Sequence, residues 1–368
     1  MNGFTLQPNV FSTEQHINLQ NILERVWISE SSSGNGIFYL LSGFGNYNGG
    51  VRFYSTFRRH THSGGQVKAF FGASTSQRLT SRQLIERLLS CNCVVYLINR
   101  KRIFHSKCYG TSTNSGDKLV VSSGNFTGPG MTQNIESSIF LDTEITSRIN
   151  FSWEQLEQSI LDQNWEIYQP RLGDPDDPAW NLLYNEHEDR LRIDESQNLT
   201  MVLILSHADT ARIRATPGSK AGLGSQYFWL SKDSYDFFPP LTIYNVRGYK
   251  TTHSCLINIF FVDLGKVQRK VRVTFEADNN VDFRMGTGKY RYTNLARKGD
   301  LAAISRISED NYEIRLFRQE SPEFSLLSPY AVTFVGNKGK RVGYLDNERF
   351  ESLLGIKLMT TKEFESLK

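Results

Sequence analysis

The pattern of apolar segments changes about halfway along this chain of 368 residues. In the first half, short apolar segments alternate with segments of helical spacing, such as SRQLIERLL at residues 81–89. In the second half, eight short apolar segments follow one another, separated by turn residues. The first pattern is typical of a layered, largely parallel α/β sheet, and the second of a β-barrel. Because two domains are also the expectation for this length, we predict one domain of each class.

We predict the domain boundaries from the same pattern. The α/β domain is expected at residues 1–170 and the all-β domain at residues 196–368, joined by an acidic linker at 171–195 with eight acidic and three basic residues. Predicted strands of the first domain lie at 36–43, 66–72, 94–99, 102–109 and 118–123, and its helices at 51–60, 81–89 and 150–172. Predicted strands of the second domain lie at 199–206, 226–230, 241–245, 254–262, 270–276, 302–307, 312–318 and 331–335.

Positive charge is concentrated in the second domain, although the net charge of the whole chain is only +4. Residues 212–298 contain 15 basic and 6 acidic residues, and this excess would suit a polyanion such as DNA. An ordinary solvated basic surface explains the excess equally well. No apolar segment approaches the roughly 18 residues of a membrane span. Four scattered cysteines and the absence of a signal-peptide pattern favour a cytoplasmic protein without membrane contact.

A compact set of polar residues interrupts the apolar segments of the first domain: His105, Lys107, Asn125 and Glu136. His105 and Lys107 are two residues apart in a predicted strand, so we expect their side chains on the same face. Such a pair can meet one phosphate, with the imidazole as nucleophile or proton carrier and the ammonium as a charge clamp. Taken singly, a core histidine, a surface lysine and a turn asparagine are the ordinary interpretations. Their joint occurrence favours a phosphate site.

These residues also carry a resemblance to a known family. His105-Ser106-Lys107, then Ser123-Gly124-Asn125-Phe126-Thr127, then Glu136 resemble the signature of the phospholipase D superfamily. The segments SGFGNYNGGVRFY, SSGNFTGPGM, HADTARI and QYFWLSKDSYDFFPPLTI extend the resemblance along the chain to BfiI-like type IIS restriction endonucleases. In one departure, Ser112 stands where the superfamily motif has an aspartate five residues after the lysine.

The resemblance implies hydrolysis of phosphodiesters without a metal or any other cofactor, through a phosphohistidine intermediate. His105 would attack phosphorus, and an equivalent His105 would protonate the leaving oxygen. Lys107 and Asn125 would hold the non-bridging oxygens, and Glu136 would orient an imidazole. The acidic residues of the sequence show no spacing that suggests a two-metal site.

The number of motifs predicts the assembly. Superfamily sites are built from two His-Lys-Asn sets, and this chain has one, because none of its other six histidines precedes a lysine at that spacing. We therefore predict a homodimer with one composite site at a two-fold interface, where the two His105 side chains converge. One site cannot cut both DNA strands at once, so we also predict sequential cutting.

For the second domain, the resemblance implies a B3-like pseudobarrel whose two arms enter the major groove of double-stranded DNA. We place the arms around residues 207–232 and 269–279. The candidates for guanine or phosphate contacts are Arg212, Arg247, Arg272 and Lys340, and those for cytosine and adenine are Asp209 and Asn279. Three further candidates lie in the first arm: Gln226, Trp229 and Lys232. A place for Trp229 in the barrel core is an equally good interpretation.

The resulting prediction is a type IIS restriction endonuclease that cuts at a fixed distance from an asymmetric site and is accompanied by cognate DNA methyltransferases. The alternatives are a nonspecific phosphodiesterase of the phospholipase D family and a DNA-binding repressor with an inactive nuclease fold. The basic domain argues against the first, and the intact polar set against the second. The linker is either a simple spacer or a competitor of DNA through Asp174, Asp176 and Asp177.

Overall fold

The chain forms two compact units, residues 1–189 and 190–368, in a computed structural model. The structure describes residues 3–6, 18–75, 77–100, 102–132, 134–187, 199–231, 234, 237–247, 250–277, 282–335 and 340–367. None of the helices in these ranges is long and apolar enough to span a membrane.

The N-terminal unit is an α/β unit built on an eight-stranded sheet with the order β1-β7-β6-β5-β2-β3-β4-β8. Its strands are β1 (Gly3–Leu6), β2 (Ile37–Ser42), β3 (Gln66–Ala73), β4 (Val94–Asn99), β5 (Lys107–Thr113), β6 (Gly116–Ser122), β7 (Ser137–Leu141) and β8 (Glu166–Tyr168). Strands β2, β3 and β4 are parallel, and the other neighbours are antiparallel. The predicted α/β class is confirmed.

Helices cover this sheet and supply its core. They are α1 (Leu19–Glu24), α2 (Tyr47–Gly50), α3 (Tyr54–His62), α4 (Arg82–Ser90), α5 (Gly128–Thr132), α6 (Thr143–Arg148) and α7 (Trp153–Leu161), with a π-helical turn at Arg25–Ser29 and a 3-10 turn at Pro178–Leu182. Trp153 of α7 stacks on Tyr39 of β2 with ring centroids 4.8 Å apart, and both are fully buried. The predicted helix at 150–172 ends earlier because residues 166–168 pair with β4 as β8.

Much of the predicted linker belongs to the N-terminal unit. The Tyr184 N–H donates to the Thr80 carbonyl at 3.2 Å, and its own carbonyl accepts from the Arg82 N–H at 2.8 Å. Trp180 is buried, and the buried Glu186 accepts a hydrogen bond from the Tyr47 N–H at 2.7 Å. Residues 171–187 are therefore not a free spacer, and we correct the linker boundary. The acidic composition of the segment did not predict this packing, because the residues that anchor it to the unit are few and lie between charged residues.

The C-terminal unit is all-β, as predicted, and its described strands form one ten-stranded sheet. The order is β10-β14-β13-β12-β16-β15-β9-β18-β17, with β11 paired to β12. The strands are β9 (Leu199–Ile204), β10 (Tyr227–Trp229), β11 (Ile243–Arg247), β12 (Lys250–Phe261), β13 (Lys266–Glu276), β14 (Asp282–Gly286), β15 (Leu301–Arg306), β16 (Asn311–Phe317), β17 (Thr333–Val335) and β18 (Lys340–Asp346).

Two of these strands, β14 and β18, were not predicted, because polar and basic residues interrupt their apolar alternation. Short helices α8 (His207–Thr210), α9 (Pro322–Leu327), α10 (Asn347–Leu354) and α11 (Thr361–Ser366) complete the unit, with 3-10 turns at Lys220–Gly222, Val262–Leu264, Gly288–Tyr290 and Ser328–Tyr330. One apolar cluster joins the sheet residues Val202 and Leu301 to Leu327 of α9 and Phe350 of α10. The helices therefore close one part of the sheet.

Candidate functional site

The four predicted catalytic residues gather at one edge of the N-terminal sheet. Strands β2 and β6 end at this edge, and β5 and β7 begin there. The pairing of Ser42 with Lys107 and of Ser122 with Ser138 fixes this arrangement. Residues on loops at strand ends are held by a rigid sheet, which is a common setting for catalytic groups. We name this region the catalytic edge.

His105 lies in an extended segment before β5 rather than on a strand. The predicted strand at 102–109 is wrong at its start, because ladder pairing with β2 begins only at Lys107. The His105 side chain is exposed, and its ring packs edge-on against Phe44 with centroids 5.6 Å apart. A Cβ on Gly43 would lie 3.0 Å from both Cα and Cδ2 of His105. Gly43 therefore leaves the space that the imidazole occupies.

Lys107 is half-buried beside the histidine, and its ammonium donates to the His105 carbonyl at 3.0 Å. Burial lowers the pKa of Lys107, and the nearby Glu136 carboxylate opposes this by raising it. Burial, and then the positive charge of Lys107, lower the pKa of His105 below its usual value. The lowered pKa favours the neutral imidazole, which is the form that a nucleophile requires.

Asn125 faces the same edge from the turn after β6. Its Oδ1 accepts a hydrogen bond from the Phe44 N–H at 3.3 Å. Within the described part of the chain its Nδ2 has no protein acceptor, so this amide can donate to a phosphate oxygen. The buried Ser42 hydroxyl holds the turn, because it accepts from the Phe126 N–H at 2.8 Å and donates to the Phe44 carbonyl at 2.7 Å. One serine thus fixes both loops.

Glu136 lies just before β7 and is held by two neighbours rather than by the histidine of its own chain. Its carboxylate accepts from the Ser123 hydroxyl and, at 3.1 Å, from the side-chain amide of Asn134. Among the described residues it makes no hydrogen bond to His105. The prediction that Glu136 orients an imidazole therefore requires an imidazole from elsewhere.

Sequence reasoning missed the residues that position this set. Ser42, Phe44 and Ser123 each touch a predicted catalytic residue or the loop that carries it. The only available signal was the placement of small residues at strand ends, in the SGFG and SSGN segments. Ser112, where the superfamily has aspartate, lies near the other end of β5, opposite Ile37. Five residues of strand separate it from Lys107 by roughly 17 Å, so the substitution does not reach the catalytic edge.

Three residues predicted to contact DNA are buried in the C-terminal unit instead. The exposed fractions are 0% for Asp209, 2% for Gln226 and 6% for Lys340. The Lys340 ammonium donates to the two Asp209 carboxylate oxygens at 2.8 and 2.7 Å. Gln226 Nε2 donates to the Asp209 carbonyl at 2.7 Å. Because a buried, paired side chain cannot reach a base edge, we correct the prediction of DNA contact for these three residues.

The buried Asp209–Lys340 pair links the two ends of the sheet, which do not pair with each other as strands. Lys340 begins β18, next to the end strand β17, and its ammonium also donates to the carbonyl of Trp229 in the other end strand, β10. Asp209, in α8, accepts from the Trp229 N–H at 2.8 Å and from the Ser206 N–H at 2.6 Å. Burial lowers the pKa of Lys340, and Asp209 opposes this by raising it. We name this contact the Asp209–Lys340 latch.

The other predicted DNA contacts have different surroundings. Arg212 Nε donates to the Leu223 carbonyl at 2.7 Å, and the exposed Arg272 donates to the Ser254 hydroxyl at 2.7 Å. The Trp229 side chain is half-buried, with the guanidinium carbon of Arg284 5.8 Å from its ring centroid. Arg247 ends β11, but its side chain lies outside the described residues, as do Lys232 and Asn279. Contact of these residues with DNA remains a prediction.

No group of three or more His, Cys, Asp or Glu side chains that could hold a metal ion exists among the described residues. None of the four cysteines forms a disulfide bond. The predicted metal-independent reaction is not tested by either observation.

Comparison with known proteins bears on each unit separately. Residues 193–357 match the family model described as "Metal-independent restriction enzyme BfiI DNA binding domain". No curated protein matches the chain. Similar solved structures are Nuc from Salmonella typhimurium, a phospholipase D family member (13% identity, TM-score 0.33, covering 46% of this chain and 99% of that chain), and NucT from Helicobacter pylori (16% identity, TM-score 0.32, covering 44% and 96%).

The class defined by these findings is a two-unit protein in which an all-β DNA-binding domain follows an α/β unit. More particularly, the C-terminal unit matches the model of the BfiI DNA-binding domain, which confirms the predicted resemblance to BfiI-like enzymes for this part of the chain. The match supports DNA as a partner of this unit.

Proposed function

We propose that the protein is a metal-independent, site-specific DNA endonuclease of the type IIS kind. The observation that carries this proposal is the convergence of His105, Lys107 and Asn125 at one sheet edge, in a chain that also has a BfiI-family DNA-binding domain. The α/β unit supplies the hydrolytic groups, and the all-β unit selects the DNA site. Cutting then falls at a fixed distance from an asymmetric sequence.

The proposed reaction proceeds in two displacements. The neutral imidazole of one His105 attacks phosphorus, forming an N–P bond while the P–O bond to the leaving strand breaks. The His105 of a second chain, in its protonated form, donates a proton to the leaving oxygen. Water then attacks phosphorus, the N–P bond breaks, and the second imidazole accepts the proton from that water. Lys107 and the free amide of Asn125 stabilise the charge on the non-bridging oxygens.

A second chain is required because each chain provides one histidine. In the proposed homodimer the two catalytic edges face each other across a two-fold axis. Glu136, which does not bond to its own His105, would orient the imidazole of the partner chain. The single composite site cuts the two DNA strands in sequence.

Digestion of a sequenced plasmid in EDTA tests the function. Discrete fragments whose ends map at a constant offset from one sequence support the proposal. A smear would instead indicate a nonspecific phosphodiesterase, and intact but retarded DNA would indicate a binding protein without activity. Either of these outcomes would contradict site-specific hydrolysis without a metal.

The His105→Ala variant tests the assigned nucleophile. We expect loss of cutting by at least about a thousandfold, because both the nucleophile and the general acid disappear. Specific binding should be unchanged in a mobility-shift assay, since His105 lies in the other unit. His62→Ala is the matched control, because His62 is an exposed histidine of the same unit at the end of α3. Retained cutting by His105→Ala would exclude the assigned role.

A further inference from the structure

An arginine-lined cleft lies on the N-terminal unit, beside the catalytic edge. Its volume is about 420 Å³, and its lining includes Thr75, Gln77, Arg78, Arg82, Asn181 and Tyr184. Among its described lining residues there is no aspartate or glutamate, and the charged ones are Arg78 and Arg82. We propose that this cleft binds a backbone phosphate of the DNA strand being cut, a few nucleotides from the scissile bond. The inference rests on the proposed nuclease function.

Both guanidinium groups are held in place by aromatic rings of the segment after β8. The guanidinium carbon of Arg78 lies 4.7 Å from the ring centroid of Tyr184, and that of Arg82 lies 5.3 Å from the ring centroid of Trp180. An arginine stacked on a ring is oriented before a ligand arrives, and its planar N–H groups suit a phosphate. Arginines ordered in this way lose less entropy on binding than free ones.

Among the described residues, Arg82 has one competing acidic partner, and the pair is a weak one. Its Nε donates to Glu86 Oε1 at 2.8 Å, as an exposed pair four residues apart on α4. Exposed pairs of this kind contribute little to stability, so an incoming phosphate can displace the carboxylate at little cost. Both arginine side chains are exposed and can be reached from solvent.

The backbone connects this cleft directly to the catalytic edge. The loop that carries Arg78 is tied to Gly45 by hydrogen bonds of 2.9 Å in each direction, from the Gly45 N–H to the Leu79 carbonyl and from the Ser81 N–H to the Gly45 carbonyl. A Cβ on Gly72, at the end of β3, would lie 2.9 Å from the Phe104 carbonyl, one residue before His105. The cleft and His105 therefore lie at the same edge of the sheet.

The spacing of strands in the sheet gives an approximate distance between the cleft, which follows β3, and His105, which precedes β5. Strand β3 is two positions from β5 in the sheet, and two spacings amount to roughly 10 Å. Successive phosphates of a duplex strand advance about 3.4 Å along the axis and are farther apart than this in space, so the two points are separated by at most roughly three nucleotides. A phosphate held there would fix the register of the strand over His105 without taking part in the chemistry. Arg78 and Arg82 are in this sense positioning residues.

The test uses the full-length protein and initial rates of plasmid cleavage in EDTA at several salt concentrations. The double variant Arg78→Ala/Arg82→Ala should raise KM about tenfold while kcat changes less than about twofold, because the cleft no longer binds the phosphate in the ground state. The slope of log(kcat/KM) against log[salt] should become shallower by about 0.7–0.9 for each phosphate that the variant no longer neutralises. Arg148→Ala is the matched control, because Arg148 forms a comparable exposed pair with Glu144 on α6.

A second variant separates phosphate binding from a merely structural role for the arginines. Asn181→Asp leaves both arginines on their rings but places a negative charge in the cleft, so KM should rise severalfold. Wild-type values of KM and salt slope in both the double variant and Asn181→Asp would overturn the inference. If the wild-type protein cuts no DNA, the proposed function fails instead. Fluorescence anisotropy with a labelled duplex then tests whether the cleft binds a DNA phosphate. Equal affinities of the wild type, the double variant and Asn181→Asp for this duplex would refute phosphate binding by the cleft.

Discussion

The charge of Lys107 acts on His105 at short range, because the ammonium is hydrogen-bonded to the carbonyl of the histidine itself. Burial and this charge both disfavour the imidazolium form. The lysine therefore has two effects in the proposed reaction. It stabilises negative charge on the phosphate, and it keeps the attacking imidazole unprotonated at pH values where an ordinary histidine would be partly charged.

The Lys107→Gln variant tests this coupling. Removing the positive charge should raise the pKa of His105, so its neutral fraction should begin to fall at a higher pH than in the wild-type protein. The rate of modification of His105 by diethyl pyrocarbonate, which reacts with neutral imidazole, measures this shift after subtraction of the His105→Ala background. An unchanged or lowered midpoint in Lys107→Gln would contradict the coupling.

At this scale the sequence predicted which polar residues converge at the sheet edge but not all of their contacts. His105, Lys107 and Asn125 meet at one edge because strand ends near in sequence are also near in the sheet. The neighbours of Glu136 could not be predicted, since they depend on side-chain rotamers of Ser123 and Asn134. Lys340 was interpreted as a DNA contact because nothing in a local basic pattern reveals a buried carboxylate 131 residues away.

The elements of the C-terminal unit form an open sheet that side chains help to close. The Asp209–Lys340 latch joins α8 and β18 and also contacts the backbone of β10. Two of its members come from elements that were predicted poorly or not at all, because α8 is one turn long and β18 begins with two basic residues. Strands β15 and β16 were predicted well, because both are largely buried and rich in apolar residues.

The Lys340→Met variant tests the latch. Breaking a buried ion pair leaves Asp209 charged and uncompensated, so we expect the free energy of unfolding of this unit to fall by about 3–5 kcal/mol. Chemical denaturation followed by tryptophan fluorescence measures this decrease. Lys289→Met, at an exposed lysine of the same unit, is the control and should change stability by less than about 0.5 kcal/mol. Equal stability of the two variants would show that the latch contributes nothing.

At the scale of the whole molecule, one His-x-Lys motif per chain sets the proposed stoichiometry. In the proposed mechanism each catalytic edge provides one nucleophile, one lysine and one asparagine, which is half of the set that a phosphohistidine mechanism with a separate general acid requires. Within the described chain, the Asn125 side-chain amide has no acceptor and Glu136 does not contact His105. A second copy of the chain would supply the missing imidazole for Glu136 and complete the phosphate site that Asn125 faces.

Mixed dimers distinguish one composite site from two independent sites. If wild-type and His105→Ala chains are unfolded together at equal concentration and refolded, only dimers with two wild-type chains can act at a composite site. Activity should then be about one quarter of that of the same total amount of wild-type protein, whereas independent sites would give about one half. The intact fraction of refolded dimer, measured by light scattering, normalises both values. A result of one half would contradict the composite site.

The position of β9 in its sheet has a consequence for synthesis of the protein. Both neighbours of β9 come from far along the chain, since it pairs with β15 (Leu301–Arg306) and β18 (Lys340–Asp346). While the polypeptide emerges from the ribosome, the apolar strand Leu199–Ile204 therefore has no partner on either side for about the next hundred residues. Unpaired apolar strands associate with one another, and such distant pairings form slowly. Nascent chains arrested after β9 and before β15 should consequently aggregate, and chaperone demand should be greatest while that part of the chain is synthesised.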